Sequence, residues 1–140
     1  MKLFARKTAD AGPWETIAWW EARRIPYNLL VGATGLVSGA MCLITGILCE
    51  HFLGQPIGIP DPPIFALLGV AAYGVMANLC YTGGWMAELL VQKIWPGKGN
   101  EFGRISFSLG LGFSILLTLV PGILFTALGA LSLLGHFVGK

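Results

Sequence analysis

From Ile105 to Val138 the chain runs for 34 residues without one Lys, Arg, Asp or Glu. As a single helix such a run reaches about 51 Å, whereas one crossing of a bilayer needs only about 30 Å. Two spans broken at Pro121–Gly122 leave about 16 residues each, some 24 Å, with no polar turn between them. The run therefore predicts one long membrane helix, kinked near Pro121, with a span at about residues 105–128 and an apolar extension to 138. Two short helices or a re-entrant segment are the alternative, which would make four spans. Composition agrees with membrane insertion. Of 140 residues 55% are apolar and 11% charged, against about 25% charged in soluble domains. A domain of this length leaves roughly a third of its surface uncovered, so the excess apolar surface must face lipid.

Two further runs complete the expected architecture. Residues 27–49 reach about 34 Å as a helix. Residues 64–85 cross back, which places their inner boundary near Gly84 or Trp85. The fold expected is an all-α integral membrane helical bundle with three transmembrane helices. Residues 1–25 form an arm carrying a short interfacial helix, and 26–140 form a single transmembrane domain. Between the first two spans, GQPIGIPDPP is too rich in proline for a helix and is expected to fold back over the outer surface.

Charge placement predicts orientation. Lys2, Arg6, Lys7, Arg23 and Arg24 precede the first span, and Lys93, Lys98 and Arg104 lie between the second and third. Residues 50–63 contain neither Lys nor Arg. By the positive-inside bias the N-terminus is cytoplasmic and residues 50–63 are outside. The first 25 residues hold Asp10, Glu15 and Glu21 and lack the apolar core of a signal peptide. Cys42, Cys49 and Cys80 form no C-x-x-C, haem-attachment or zinc pattern and read as small apolar residues of membrane helices. No lipidation signal is apparent.

The segment PWETIAWWEARR opens on Pro13, a favourable first helical residue. Trp14, Trp19 and Trp20 beside Arg23 and Arg24 suit a helix at headgroup level, where indoles and cations are favoured. They are the candidate interfacial anchor, or a docking site for a protein partner or lipid headgroup. Pro26 is expected to end that helix. In the first span Gly32, Gly39 and Gly46 recur every seven residues, and Gly35 pairs with Gly39 as G-x-x-x-G. These glycines predict a groove for close helix packing. The third span carries Ser106, Gly110, Ser114, Thr118, Gly122, Thr126 and Ala130 at every fourth position, a small-residue ridge to match it.

Chemistry concentrates on the second span. Asn78, Tyr81, Trp85 and Glu88 stand at i, i+3, i+7 and i+10 and share one helical face. An amide without a partner is costly in hydrocarbon, so this face should turn away from lipid. Arg23, Arg24, Tyr27, Asn28, Ser106 and Ser108 are its expected neighbours. It is either a polar clamp between helices or the wall of a small cavity open to the cytoplasm. Counting along the helix puts Glu88 about one turn beyond the hydrocarbon and leaves Asn78 within it.

Several functions find no support. No ionisable side chain falls deep in a span, contrary to what proton-coupled transport generally needs. Glu50 and His51 read as a solvated helix end, with the imidazole favoured by the helix dipole. A bis-histidine haem needs two imidazoles at similar depth. His51 falls at the outer edge and His136 well beyond it, so no cofactor is expected. No Ser, His and carboxylate share a depth, and the glycines follow helical spacing rather than a phosphate-binding loop.

WWEARRIPYNL at 19–29 and ANLCYTGGWMAEL at 77–89 resemble short, uncharacterised bacterial multi-pass membrane proteins. The resemblance implies a bacterial inner membrane and carries no activity. The expected role is a structural or accessory subunit, packing within a membrane complex or homo-oligomer. Its partners would be the lipid bilayer and other transmembrane helices, with no nucleic acid. A small oligomeric channel or transporter with the Asn78 face lining its pathway is the alternative. A membrane redox or enzyme subunit is the third reading.

Overall fold

The computed structural model describes residues 12–54, 64–95 and 99–138. They form three helices: α1 (Pro13–Leu53), α2 (Ile64–Ile94) and α3 (Gly99–Val138). Among the described residues there is no strand. All three helices are long and apolar enough to cross a membrane. In hydrocarbon each backbone N–H and C=O must be satisfied internally, which leaves a helix as the form such segments take. The protein is an all-α, three-helix membrane protein. The polar arm 1–11 and most of the proline-rich stretch (55–63) lie outside the described residues.

The helix bounds differ from expectation at Pro26 and agree with it at Pro121. Pro26 does not end a separate interfacial helix, because α1 runs without a break from Pro13 to Leu53. A proline inside a helix forfeits one backbone hydrogen bond and costs about 3 kcal/mol. Contacts on both sides offset that cost. Trp20, before Pro26, and Tyr27, after it, both pack on the ring of Tyr81 in α2, at centroid distances of 5.3 and 4.8 Å. Pro121 likewise lies inside α3, which continues as one helix to Val138. The third apolar run is thus one long helix, and the two-short-helix alternative does not hold.

The ends of α1 are conventional. Pro13 opens it, and the amide of Thr16 donates to the carbonyl of Gly12 at 3.0 Å. Gly54 closes it in the left-handed region, at φ +65°, with its amide on the carbonyl of Glu50 at 3.0 Å. A residue with a Cβ adopts that conformation only under strain.

Contacts among the helices fall into two compact units. The first comprises Met1–Leu30 with Ala71–Ser114, the second Val31–Val70 with Ile115–Lys140. In the first unit the interior holds Thr16, Trp20, Arg23 and Tyr27 from α1, Tyr81 and Glu88 from α2, and Phe107 and Leu111 from α3. In the second, α1 buries Val31, Ser38 and Thr45, and α3 buries Gly122 and Gly129. The outward surfaces carry large apolar side chains such as Ile25, Leu29, Leu36, Val70, Leu109 and Leu128.

Within this chain the packed face of α1 is offset from the Gly32, Gly39, Gly46 heptad. Gly32 and Gly39 are exposed, and a Cβ on either would meet open space. The face of α1 that packs in the second unit is the neighbouring heptad Val31, Ser38, Thr45, with Gly35 beside it. Gly46 is buried at its edge. On α3 the four-residue ridge holds only in part. A strict four-residue repeat advances 400° per step and drifts 40° around a helix of 3.6 residues per turn. Gly110 and Ala130, toward its two ends, are therefore exposed, whereas Gly122 is buried. Thr118 meets Gly35, its Cγ2 3.7 Å from where a Cβ would stand. At Gly122 a Cβ would lie 2.9 Å from the backbone of Ser38, and its amide donates to Ser38 Oγ at 3.1 Å. The Thr45 hydroxyl donates to Thr126 Oγ1 at 3.2 Å, while its methyl occupies the space a side chain at Gly129 would need.

Candidate functional site

The first unit gathers the polar side chains of the chain into one cluster. On α1 the face Thr16, Trp20, Arg23, Tyr27 repeats at i, i+4, i+7, i+11, one stripe of a helix. It meets the α2 face Asn78, Tyr81, Trp85, Glu88, which Gln92 extends by one more turn.

Glu88 is the centre. It is fully buried. Its carboxyl accepts from the indole Nε1 of Trp20 at 2.6 Å and from Nε2 of Gln92 at 3.1 Å. The Gln92 amide also donates to Thr16 Oγ1 at 3.1 Å, and Thr16 passes its own proton to the carbonyl of Gly12, again at 3.1 Å. A chain of donors thus runs from Glu88 to the first turn of α1. On the far side Glu88 lies against Gly103 of α3, where a Cβ would overlap its carboxyl carbon and both oxygens. Glycine at 103 is what lets α3 close over the acid. Counting along the helix places Glu88 at headgroup level on a face turned from lipid; its side chain is enclosed by three protein segments.

Aromatic rings wall the cluster. Trp20, Tyr81 and Phe107 meet edge to face, at centroid separations of 5.3, 5.8 and 6.4 Å, the arrangement that ring quadrupoles favour. Trp19 joins through Phe107 at 6.0 Å. The Tyr81 hydroxyl donates to the carbonyl of Trp20 at 2.5 Å. The guanidinium of Arg23 lies 3.8 Å above the Trp19 ring and donates to the Trp19 carbonyl at 2.8 Å. Arg24 donates to Thr82 Oγ1 at 3.1 Å and pairs with Glu21 at 2.8 Å.

Farther along, the amides of Asn28 and Asn78 bond reciprocally at 3.2 and 3.1 Å. Asn78 also donates to the carbonyl of Gly74 at 3.0 Å. Tyr27 and Ser114 share a hydrogen bond of 2.9 Å. The Ser114 hydroxyl donates to Gly110 at 2.8 Å, so Tyr27 is the donor to Ser114.

The candidate anchor divides. Trp14 is exposed on 82% of its surface and remains free to meet headgroups, while Trp20 is 2% exposed and Arg23 6%. Those two belong to the interior of the first unit, and Trp19 and Arg24 are half-buried. Of the α2 face, Asn78, Tyr81 and Glu88 are engaged as described. Trp85 shares the face, and its buried Nε1 has no hydrogen-bond partner. Sequence reasoning missed Thr16, Gln92, Gly103 and Phe107. Gln92 was findable, since it continues the 78–81–85–88 stripe; Gly103 gave no signal.

Phe52 and Phe137 pack at 5.8 Å, so the helix ends bearing His51 and His136 come to one level. The separation in depth expected of the two histidines is not found. Among the described residues no three His, Cys, Asp or Glu side chains gather as a metal site would require.

No protein-family model, curated protein or solved structure matches this chain.

Proposed function

We propose that this protein is a structural or accessory subunit of the bacterial inner membrane, with its N-terminus in the cytoplasm, acting by helix packing within a membrane complex or a homo-oligomer. The observation that carries this reading is the fate of the polar face on α2. Asn78, Tyr81 and Glu88 all spend their polar atoms on α1 or on their own helix. Such a face works as a clamp, and it favours packing over a pathway for ions or solutes. The outward faces of all three helices are rich in exposed Leu, Ile, Val and Phe, surfaces suited to lipid and to neighbouring helices alike. The orientation rests on the eight Lys and Arg residues flanking one side and the lack of any in residues 50–63.

Purification in a mild detergent, followed by mass spectrometry of what co-elutes, tests the reading. A defined oligomer or a stoichiometric partner is expected. A clean monomer with no companion would overturn it.

A further inference from the structure

Within the first unit a cavity of about 130 Å³ lies among Trp20, Tyr27, Tyr81, Phe107, Phe113 and Gly110. An apolar cavity of about 150 Å³ holds a benzene ring and stays free of water. Here four polar side chains of the wall are engaged elsewhere. Tyr27 donates to Ser114, Ser114 to Gly110, Tyr81 to the Trp20 carbonyl, and the Trp20 indole to Glu88. The lining is mostly apolar, ring carbon, glycine and Leu111, with Cys80 and Ser106 also on it. At its mouth stand Cys80, Gly110 and Phe113, all exposed, and the buried Trp20 shares the lining. A Cβ at Gly110 would meet nothing within 4 Å. The mouth lies on the surfaces of two helices apolar enough to cross a membrane, so what reaches it is bilayer, not water.

We propose that this cavity is a site for one hydrocarbon chain of a bilayer lipid. A chain that enters recovers the dispersion contacts an empty space forfeits. The lining holds no charged side chain for a headgroup, so selectivity would lie in the chain and not in headgroup charge.

Trp20 makes the proposal measurable, because at 2% exposure it cannot touch lipid except through the cavity. The protein keeping Trp20 as its sole tryptophan, with Trp14, Trp19, Trp85 and Trp95 changed to Phe, is reconstituted in phosphatidylcholine vesicles with plain or brominated chains. Most of the Trp20 emission should be lost in the brominated vesicles. Gly110→Leu, which fills the space, should restore it, whereas Gly112→Leu, on an exposed position with open space around it, should not. Where the leucine at 110 prevents folding, Ser106→Leu on the same lining replaces it. Where the four Phe changes are not tolerated, the difference in quenching between the native protein and Trp20→Phe gives the same quantity. Equal emission in the two vesicle types, or equal quenching with the cavity filled, would overturn the proposal.

Discussion

The two units hold their helices together by opposite means. In the first, bulky aromatic and polar side chains meet: the Trp20 indole on Glu88, the Tyr81 hydroxyl on the Trp20 carbonyl, Asn28 on Asn78. In the second, small side chains of one helix meet glycine backbone of the other along much of the contact. Ser38 lies against the bare backbone of Gly122, and Thr45 against that of Gly129. Without a hydrophobic driving force between helices in lipid, association depends on dispersion packing and interhelical hydrogen bonds. One chain uses each in a separate place. The first kind depends on complete satisfaction of buried polar groups and the second on the absence of a side chain, so their failures should look different.

The largest effect is expected at Glu88. Glu88→Ala leaves the buried Trp20 N–H and one N–H of the Gln92 amide without an acceptor, and an unsatisfied buried donor costs about 1–3 kcal/mol. Unfolding in mild detergent, followed by tryptophan fluorescence, should show a loss of about 3 kcal/mol, with Glu88→Gln losing less because it retains an acceptor. Equal stability of native protein and Glu88→Ala would remove the contrast between the units.

Next comes Gly122. Its Cβ would stand 2.9 Å from backbone atoms of Ser38, which cannot step aside as a flexible side chain can. Gly122→Ala should cost about 1–3 kcal/mol, the range for overpacking. Gly39→Ala, on the glycine heptad of α1 but facing open space, should be neutral or stabilising by up to about 1 kcal/mol through helix propensity. Similar losses at both positions would mean that the sequence heptad, and not the neighbouring one, is the packed face.

Asn78→Leu should have the smallest effect, about 0.6 kcal/mol for an interhelical hydrogen bond in a membrane. Its value lies in the second readout. A protein that accumulates normally and leaves growth unchanged fits a clamp; a specific growth or flux defect at normal abundance would favour a pathway.

Much of the fold was legible because lipid imposes strict demands on the backbone. Three long helices follow from the apolar runs, and the single α3 from its length. The shared face of Asn78, Tyr81 and Glu88 follows from spacing alone, and Asn28 was correctly expected near Asn78. What escaped has one physical cause. In lipid the hydrophobic side of a helix points outward, so apolarity does not mark the interior. Trp14 and Ile25, both apolar, are exposed at 82% and 72%, whereas Thr16 and Arg23 are inside. Spacing put Glu88 on the inward face, but the partners that enclose it, Trp20 and Gly103, had no signal in the pattern. Pro26 misled because local propensity cannot register the ring of Tyr81, which holds the turns on either side of it. The glycine heptad misled by one residue, since only the approach of α3 decides whether Gly32 or Val31 faces inward.

The central claim is that the polar face of α2 is a clamp closed by specific bonds to α1, and a double-mutant cycle on Trp20 and Glu88 tests it most directly. Trp20→Phe, Glu88→Ala and the double variant are unfolded in the same detergent. Groups joined by a hydrogen bond couple by about 0.5–3 kcal/mol, and distant groups add within about 0.5 kcal/mol. A coupling above about 1 kcal/mol is predicted. Additive losses would contradict the clamp and leave Glu88 free for another role.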